Sequence, residues 1–289
     1  MDSNIQIIDE AFRELLLPDT KVTCIAEGLR FTEGPAWFAD GGYLLFSDIP
    51  AGVIYRWEPG GKHEPWRDPS HHANGNTVDL QGRLLTCEHG SRTLTRTEPD
   101  GSVVTLAATY SGKRLNSPND VVVKSDGTIW FTDPPYGIRP SNSEQSANYV
   151  FRLDDGAADP VAIIDDFSRP NGLCFSPDES LLYVADSDTE IHHIRRYRVR
   201  PDNTVEGGEV FATIDPGLPD GMRVDEAGRL FSTSAEGVHI LSTEGKLLGK
   251  IRTPETAANC TFGGPDKKTL FITATSRVWA VNLAVAGAR

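Results

Sequence analysis

The sequence predicts an all-β protein, a six-bladed propeller of four-stranded antiparallel blades, and three observations lead there. A pattern of a polar or acidic residue, a small residue, an apolar run, a turn and a second apolar run occurs six times, starting at Glu33, Asn74, Asn119, Asn171, Asp220 and Asn259. The starts lie 39 to 52 residues apart, the length of one four-stranded blade. The chain also carries 27 Gly and 19 Pro among 289 residues, as a protein built from many tight turns requires.

Each repeat reads as a hairpin. Its two apolar runs are strand length, rich in Val, Ile, Leu, Phe and Trp, and joined by turns bearing Gly or Asp, as in N-D-V-V-V-K-S-D-G-T-I-W-F-T-D from Asn119. Third strands are expected at 53–57, 93–97, 149–153, 193–199, 237–242 and 277–282, and outer strands include 160–165 and 208–214. The sixth repeat runs out of chain after its third strand, whereas a strand-like segment at 21–26 precedes the first repeat with no blade of its own. The expectation is that this segment completes the last blade and closes the ring, removing an exposed sheet edge. Ahead of it, residues 9–17 read as a short amphipathic helix ended by Pro18. No linker is visible, so residues 1–289 are expected to form one domain.

Charge narrows the function classes. Lys and Arg total 28 against 41 Asp and Glu, a net charge of -13, and no basic stripe is present, so nucleic acid is not an expected partner. No apolar run approaches the roughly 18 residues of a spanning helix, so no membrane partner is expected either. The first residues lack the basic and apolar regions of a signal peptide, which points to the cytoplasm. Cys24, Cys87, Cys174 and Cys260 form no C-x-x-C pair and read as buried free thiols. There is no G-x-S-x-G elbow and no phosphate-cradling G-x-x-x-x-G-K-[ST] loop. The sequence assigns no oligomeric state.

The first residue of each repeat precedes an innermost strand, so all six should converge on the axis at one level. Glu33, Asn74, Asn119, Asn171, Asp220 and Asn259 make an oxygen-only set with two acids, which suits one hard divalent cation. Ca²⁺ is favoured, with Mg²⁺, Mn²⁺, Zn²⁺ or Fe²⁺ as alternatives. Asn and Asp also begin strands simply because they form turns, but two acids meeting near uncharged neighbours call for a counter-ion.

E-G-P-A-W at Glu33, S-P-N-D at Ser117, R-P-N-G-L at Arg169 and P-D-G-M at Pro219 each open a repeat, in order along the chain. Together they resemble the marker motifs of the gluconolactonase, senescence-marker (regucalcin) and luciferin-regenerating family, over residues 27 to 283. H-A-N-G-N-T, L-T-C-E-H-G and F-T-D-P-P-Y-G at Phe131 resemble its bacterial gluconolactonase branch. The resemblance implies a metal-dependent lactonase whose cation is held by Glu33, Asn119, Asn171 and Asp220. In some relatives the residue matching Asn119 serves substrate or water more than the metal. It also implies that Asp220 is the general base, and that the substrate is a small lactone, here expected to be neutral. Ser117 departs from the animal branch, which carries Arg there, so sugar preference does not transfer.

Further candidates for substrate contact are Asn74 and Asn259, which complete the ring or only satisfy turns, and His89, a possible proton-transfer aid or a structural histidine. Residues 133–147 form a Pro-, Ser- and Asn-rich insertion that reads as a lid or as disorder, and Tyr136 within it could stack on a sugar ring. Two other readings stay open: a phosphotriesterase on the same metal site, and a non-enzymatic calcium-binding or interaction propeller.

Overall fold

The computed structural model describes residues 2–288. Six antiparallel blades of four strands each, one of them carrying an added fifth strand, stand around a central axis. Their innermost strands are Thr32–Phe38, Ala73–Val78, Val121–Val123, Pro170–Phe175, Met222–Val224 and Ala257–Gly263. Burial decreases outward within a blade. Pro170–Phe175 is buried at every residue, whereas the outer strand Val205–Thr213 of the same blade is half-buried or exposed throughout. This gradient explains why inner strands read as continuous runs of small and apolar residues.

Strand alternation builds the core between blades rather than within them. Along Ile129–Asp133, Phe131 packs with Leu85, Val121 and Phe151, while its neighbour Trp130 packs on the other side with Val150, Leu173 and Leu182. Leu45 and Phe46 divide in the same way. A residue-by-residue change of face is the geometry of a pleated strand, and it makes each sheet the partner of two neighbours.

The ring closes as expected: Val22–Glu27 pairs antiparallel with Arg277–Asn282, with Val22 opposite Val281 and Glu27 opposite Arg277. Residues 9–17 differ from expectation. The helical segment is a 3₁₀ helix, Glu10–Leu15, begun by Asp9, whose carboxylate accepts from Ala11 N at 2.9 Å. The backbone bonds Phe12 N to Asp9 O and Leu16 N to Arg13 O have the three-residue spacing of a 3₁₀ helix. Its buried Phe12 and Leu15 join the core under blades five and six. A strand not anticipated, Ile5–Ile7, adds a fifth member to blade five by pairing with Leu247–Arg252. Among the described residues no helix is long and apolar enough to cross a membrane.

Glycine after the head residue lets adjacent inner strands approach. A Cβ on Gly172 would lie 2.2 Å from Asp220 O and 2.8 Å from the Gly221 Cα. Both obstacles are backbone, so neither yields easily. Gly172→Ala is therefore expected to destabilise the protein by about 1–3 kcal/mol, as other overpacking substitutions do, read as a lower midpoint in denaturant at unchanged m-value.

Candidate functional site

Irregular strand starts aim the head residues inward. The pairing of the innermost strand with its neighbour shifts register between Glu33 and Ala36, between Ala73 and Asn76, between Pro170 and Leu173, and between Ala257 and Asn259. A bulge turns one side chain out of the sheet's alternation, and here it turns the head residue toward the axis. Hydroxyls on the second strands then hold the backbone at or next to the heads. Ser47 Oγ donates to Asn74 O at 2.8 Å, Thr233 Oγ1 to Gly221 O at 2.8 Å, and Thr273 Oγ1 to Asn259 O at 3.1 Å.

The six heads meet. Asn74 Nδ2 donates to Asn119 Oδ1, Asn119 Nδ2 donates to Asn171 Oδ1 at 2.5 Å, and Asn259 Nδ2 donates to Glu33 Oε2 at 3.0 Å. Glu33 Oε2 also accepts from Gly34 N at 2.6 Å. Glu33, Asn74, Asn119, Asn171 and Asn259 are buried, and Asp220 is half-buried, so solvent reaches the ring most at Asp220.

Electrostatics mark this level of the channel as short of positive charge. Burial pushes the Glu33 carboxyl up to about 7, and the negative charge of Asp120 adds to the rise. Asp220 is raised well above the ordinary carboxylate range, first by burial and then by Glu33 and Asp120, with the Asn171 side chain opposing. Each acid thus resists ionising beside the others.

Asp120 is a site residue that the repeat pattern did not single out. It follows Asn119, is fully buried, and its Oδ2 has no hydrogen-bond partner; Arg223 Nη1 stands 3.9 Å away. A signal existed, because the place after the head is Gly in four repeats and Cys in a fifth, and only here is it an acid. The Asn74 Oδ1 is likewise buried without a donor. Unpartnered oxygens among crowded acids are the donor set a hard cation takes. Among the described residues no three His, Cys, Asp or Glu side chains form a ligand cluster alone. A cation held here would therefore have to draw on amide oxygens of the ring, of which Asn74 Oδ1 is without a partner.

His89 lies beside the ring but away from Asp220. Its Nε2 is 3.1 Å from Asn74 Nδ2 and its backbone N donates to His72 O at 3.1 Å. Burial lowers the imidazole to about 4, so it is neutral at physiological pH and can accept from the Asn74 amide. Tyr136, in the turn that packs against His89, has the Arg169 guanidinium 5.7 Å from its ring centroid. Burial first, and then the negative charge of Asp220, push its phenol up to about 12.

The 133–147 insertion is held by hydrogen bonds. It contains two 3₁₀ turns, Pro135–Gly137 and Pro140–Asn142. Ser117 Oγ donates to Pro134 O at 2.6 Å and accepts from Gly137 N at 2.8 Å. Asn116 N donates to Asp133 Oδ2 at 2.7 Å, and Ser143 Oγ donates to Asn116 Oδ1 at 2.6 Å. A Cβ at Gly137 would lie 2.5 Å from the His89 Cβ, which wedges the first turn against blade two. Ser117, noticed in the sequence only as a departure from the animal branch, is the staple.

Known proteins with this architecture are similar along nearly the whole chain. A gluconolactonase from Zymomonas mobilis subsp. mobilis is 35% identical over 290 residues, covering 90% of this chain and 80% of the relative. The pentonolactonase XacC of Haloferax volcanii is 32% identical over 255 residues, covering 84% and 81%. Among solved structures, XC5397 from Xanthomonas campestris, described as a gluconolactonase important in glucose secondary metabolic pathways, superposes with a TM-score of 0.91 at 38% identity over 96% of this chain and 94% of that one. The family described as "SMP-30/Gluconolactonase/LRE-like region" matches residues 31–276, a span that takes in all six ring residues. By that match and by these identities, the chain belongs to the SMP-30/gluconolactonase/LRE-like family.

Proposed function

We propose that this protein is a divalent-metal-dependent hydrolase that opens a neutral sugar lactone. The observation that carries the reading is the convergence of Glu33, Asn171 and Asp220 with three further carboxamides at one level of the channel, both acids being held above their ordinary range first by burial and then by neighbouring acids. The gluconolactonase and pentonolactonase relatives support it.

Glu33, Asn171 and Asp220 would hold the cation, Ca²⁺ being favoured by the all-oxygen set, with Asn119 at or near the shell. When bound, the ion supplies Lewis acidity toward the lactone carbonyl and the oxyanion formed on attack. Asp220, the most solvent-accessible head, takes a proton from the attacking water as the new C–O bond forms. It returns that proton to the ring oxygen as the old C–O bond breaks, so the product is the hydroxy acid. Glu33 balances charge. Asn74 and Asn259 would hydrogen-bond substrate hydroxyls, and neutral His89 fixes the Asn74 amide by accepting from it. Tyr136 presents its ring and a phenol that keeps its proton above Asp220, so it can pack against the sugar while the stapled insertion limits water.

A panel of aldonolactones assayed after chelation and again with Ca²⁺, Mg²⁺, Mn²⁺, Zn²⁺ or Fe²⁺ tests the proposal, with hydrolysis restored by at least one ion as the expected result. Activity that survives exhaustive chelation overturns the metal requirement, and activity on phosphotriesters alone overturns the substrate class. Substrate charge gives a further test. With a net charge of -13 and acids at the axis, a neutral lactone is expected to show a higher kcat/KM than its 6-phosphorylated counterpart, the gap narrowing as salt screens the field.

A further inference from the structure

Two charged residues interrupt an otherwise uncharged pattern beneath the ring. In the four positions after each head, the six repeats read G-P-A-W, G-N-T-V, D-V-V-V, G-L-C-F, G-M-R-V and C-T-F-G. Asp120 and Arg223 are the only charged residues among these positions. They sit in blades three and five, yet Arg223 Nη1 reaches to 3.9 Å from Asp120 Oδ2, so the guanidinium crosses the channel past blade four. The same Nη1 donates to Met222 O at 2.7 Å. The contact with Asp120 is too long for a bidentate pair, and Asp120 Oδ2 has no hydrogen-bond donor. The positive charge is therefore shared with the whole cluster, and it also opposes the rise of Glu33.

Among the described residues, Arg223 is the only cationic side chain within ionic reach of Glu33, Asp120 or Asp220. Two buried acids and the half-buried Asp220 against one guanidinium leave two negative charges uncompensated when all three are ionised, and charge removed from water is costly unless balanced. We propose that Arg223 is a positioning residue that sets the axial site to ions of charge two. With Arg223 in place, a divalent ion leaves the cluster neutral; without it, a trivalent ion does. The inference rests on the reading that the ring holds a cation, and concerns which charge that cation carries.

The test is the ratio of La³⁺ to Ca²⁺ affinity, measured by calorimetry on the full chain at one fixed, mildly alkaline pH. Removing a unit positive charge several Å away favours a trivalent over a divalent ion by one extra charge–charge interaction, roughly tenfold or more at an effective dielectric near 20. Arg223→Gln is expected to raise the La³⁺/Ca²⁺ ratio by that factor, Arg223→Lys to keep the parent ratio, and Asp120→Asn to lower it. The Arg223→Gln/Asp120→Asn double variant should return to within about threefold of the parent, because both charges leave together. A purely structural role would move both affinities by one factor. An unchanged ratio in Arg223→Gln, or a Lys variant that behaves like Gln, overturns the proposal. Should Arg223→Gln fail to fold, Asp120→Asn carries the test alone, and an unchanged ratio there overturns it equally. A parent protein that binds neither ion removes the cation reading itself, an outcome distinct from tight binding with an unaltered ratio.

Discussion

Asp220→Asn is expected to lower kcat by roughly 10² to 10⁴, the range that removal of a general base usually produces. The substitution keeps an oxygen that can face a cation and nearly the same volume, so the ring should persist while the proton acceptor is lost. The raised carboxyl of Asp220 fits it for both proton transfers, because a group pushed toward neutrality by burial and by Glu33 and Asp120 takes a proton from water and gives it back to the leaving oxygen. Steady-state kinetics at saturating cation separates the two roles. Turnover near the parent's under those conditions would show that Asp220 is only a ligand and would move the base to Glu33. His89 is a poor substitute, because burial holds it neutral and it is turned to Asn74 rather than to the acids.

Removing the cation is expected to make stability strongly pH-dependent, and the sign follows from the acids. Glu33 titrates at about 7 in the folded chain against an ordinary 4.5, and Asp220 is raised in the same direction. Between the unfolded and folded values the folded protein holds more protons, so stability falls as pH rises. The cation-free protein should be most stable below about pH 4.5 with respect to these groups and should lose that advantage as pH passes through about 7. A bound cation favours the ionised acids and reverses the trend, so the rise in Tm on adding Ca²⁺ should grow with pH. Asp133, raised to about 7 mainly by burial, adds a decline of the same sign that lies outside the ring. Thermal scans with chelator and with Ca²⁺, from mildly acidic to mildly alkaline pH, measure the difference. A Ca²⁺ increment that stays constant across that range would rule out coupling between the ion and the ring acids.

The propeller was legible because its signal is local and repeated. Each blade must bury both faces of its inner strands, so apolar runs recur at blade spacing. The third strands His193–Val199 and Arg277–Asn282 lie where the sequence places them, and the closing strand was implied by a sixth repeat lacking its fourth member. Outer strands were less legible. Val161–Phe167 and Val205–Thr213 are exposed along much of their length and shift register against their partners, so no apolar alternation fixes their ends. The convergence of the six heads could likewise be read, because repetition puts equivalent residues at equivalent places. Asp120 with Arg223, Ser117 with the insertion, and the orientation of His89 toward Asn74 could not. These contacts join residues from different blades or loops, and the chain's periodicity states what each blade is without stating which side chain crosses the channel to meet another. That is a matter of distance across the axis, and it is fixed only when six sheets pack around it and enclose a low-dielectric space in which unbalanced charge is costly.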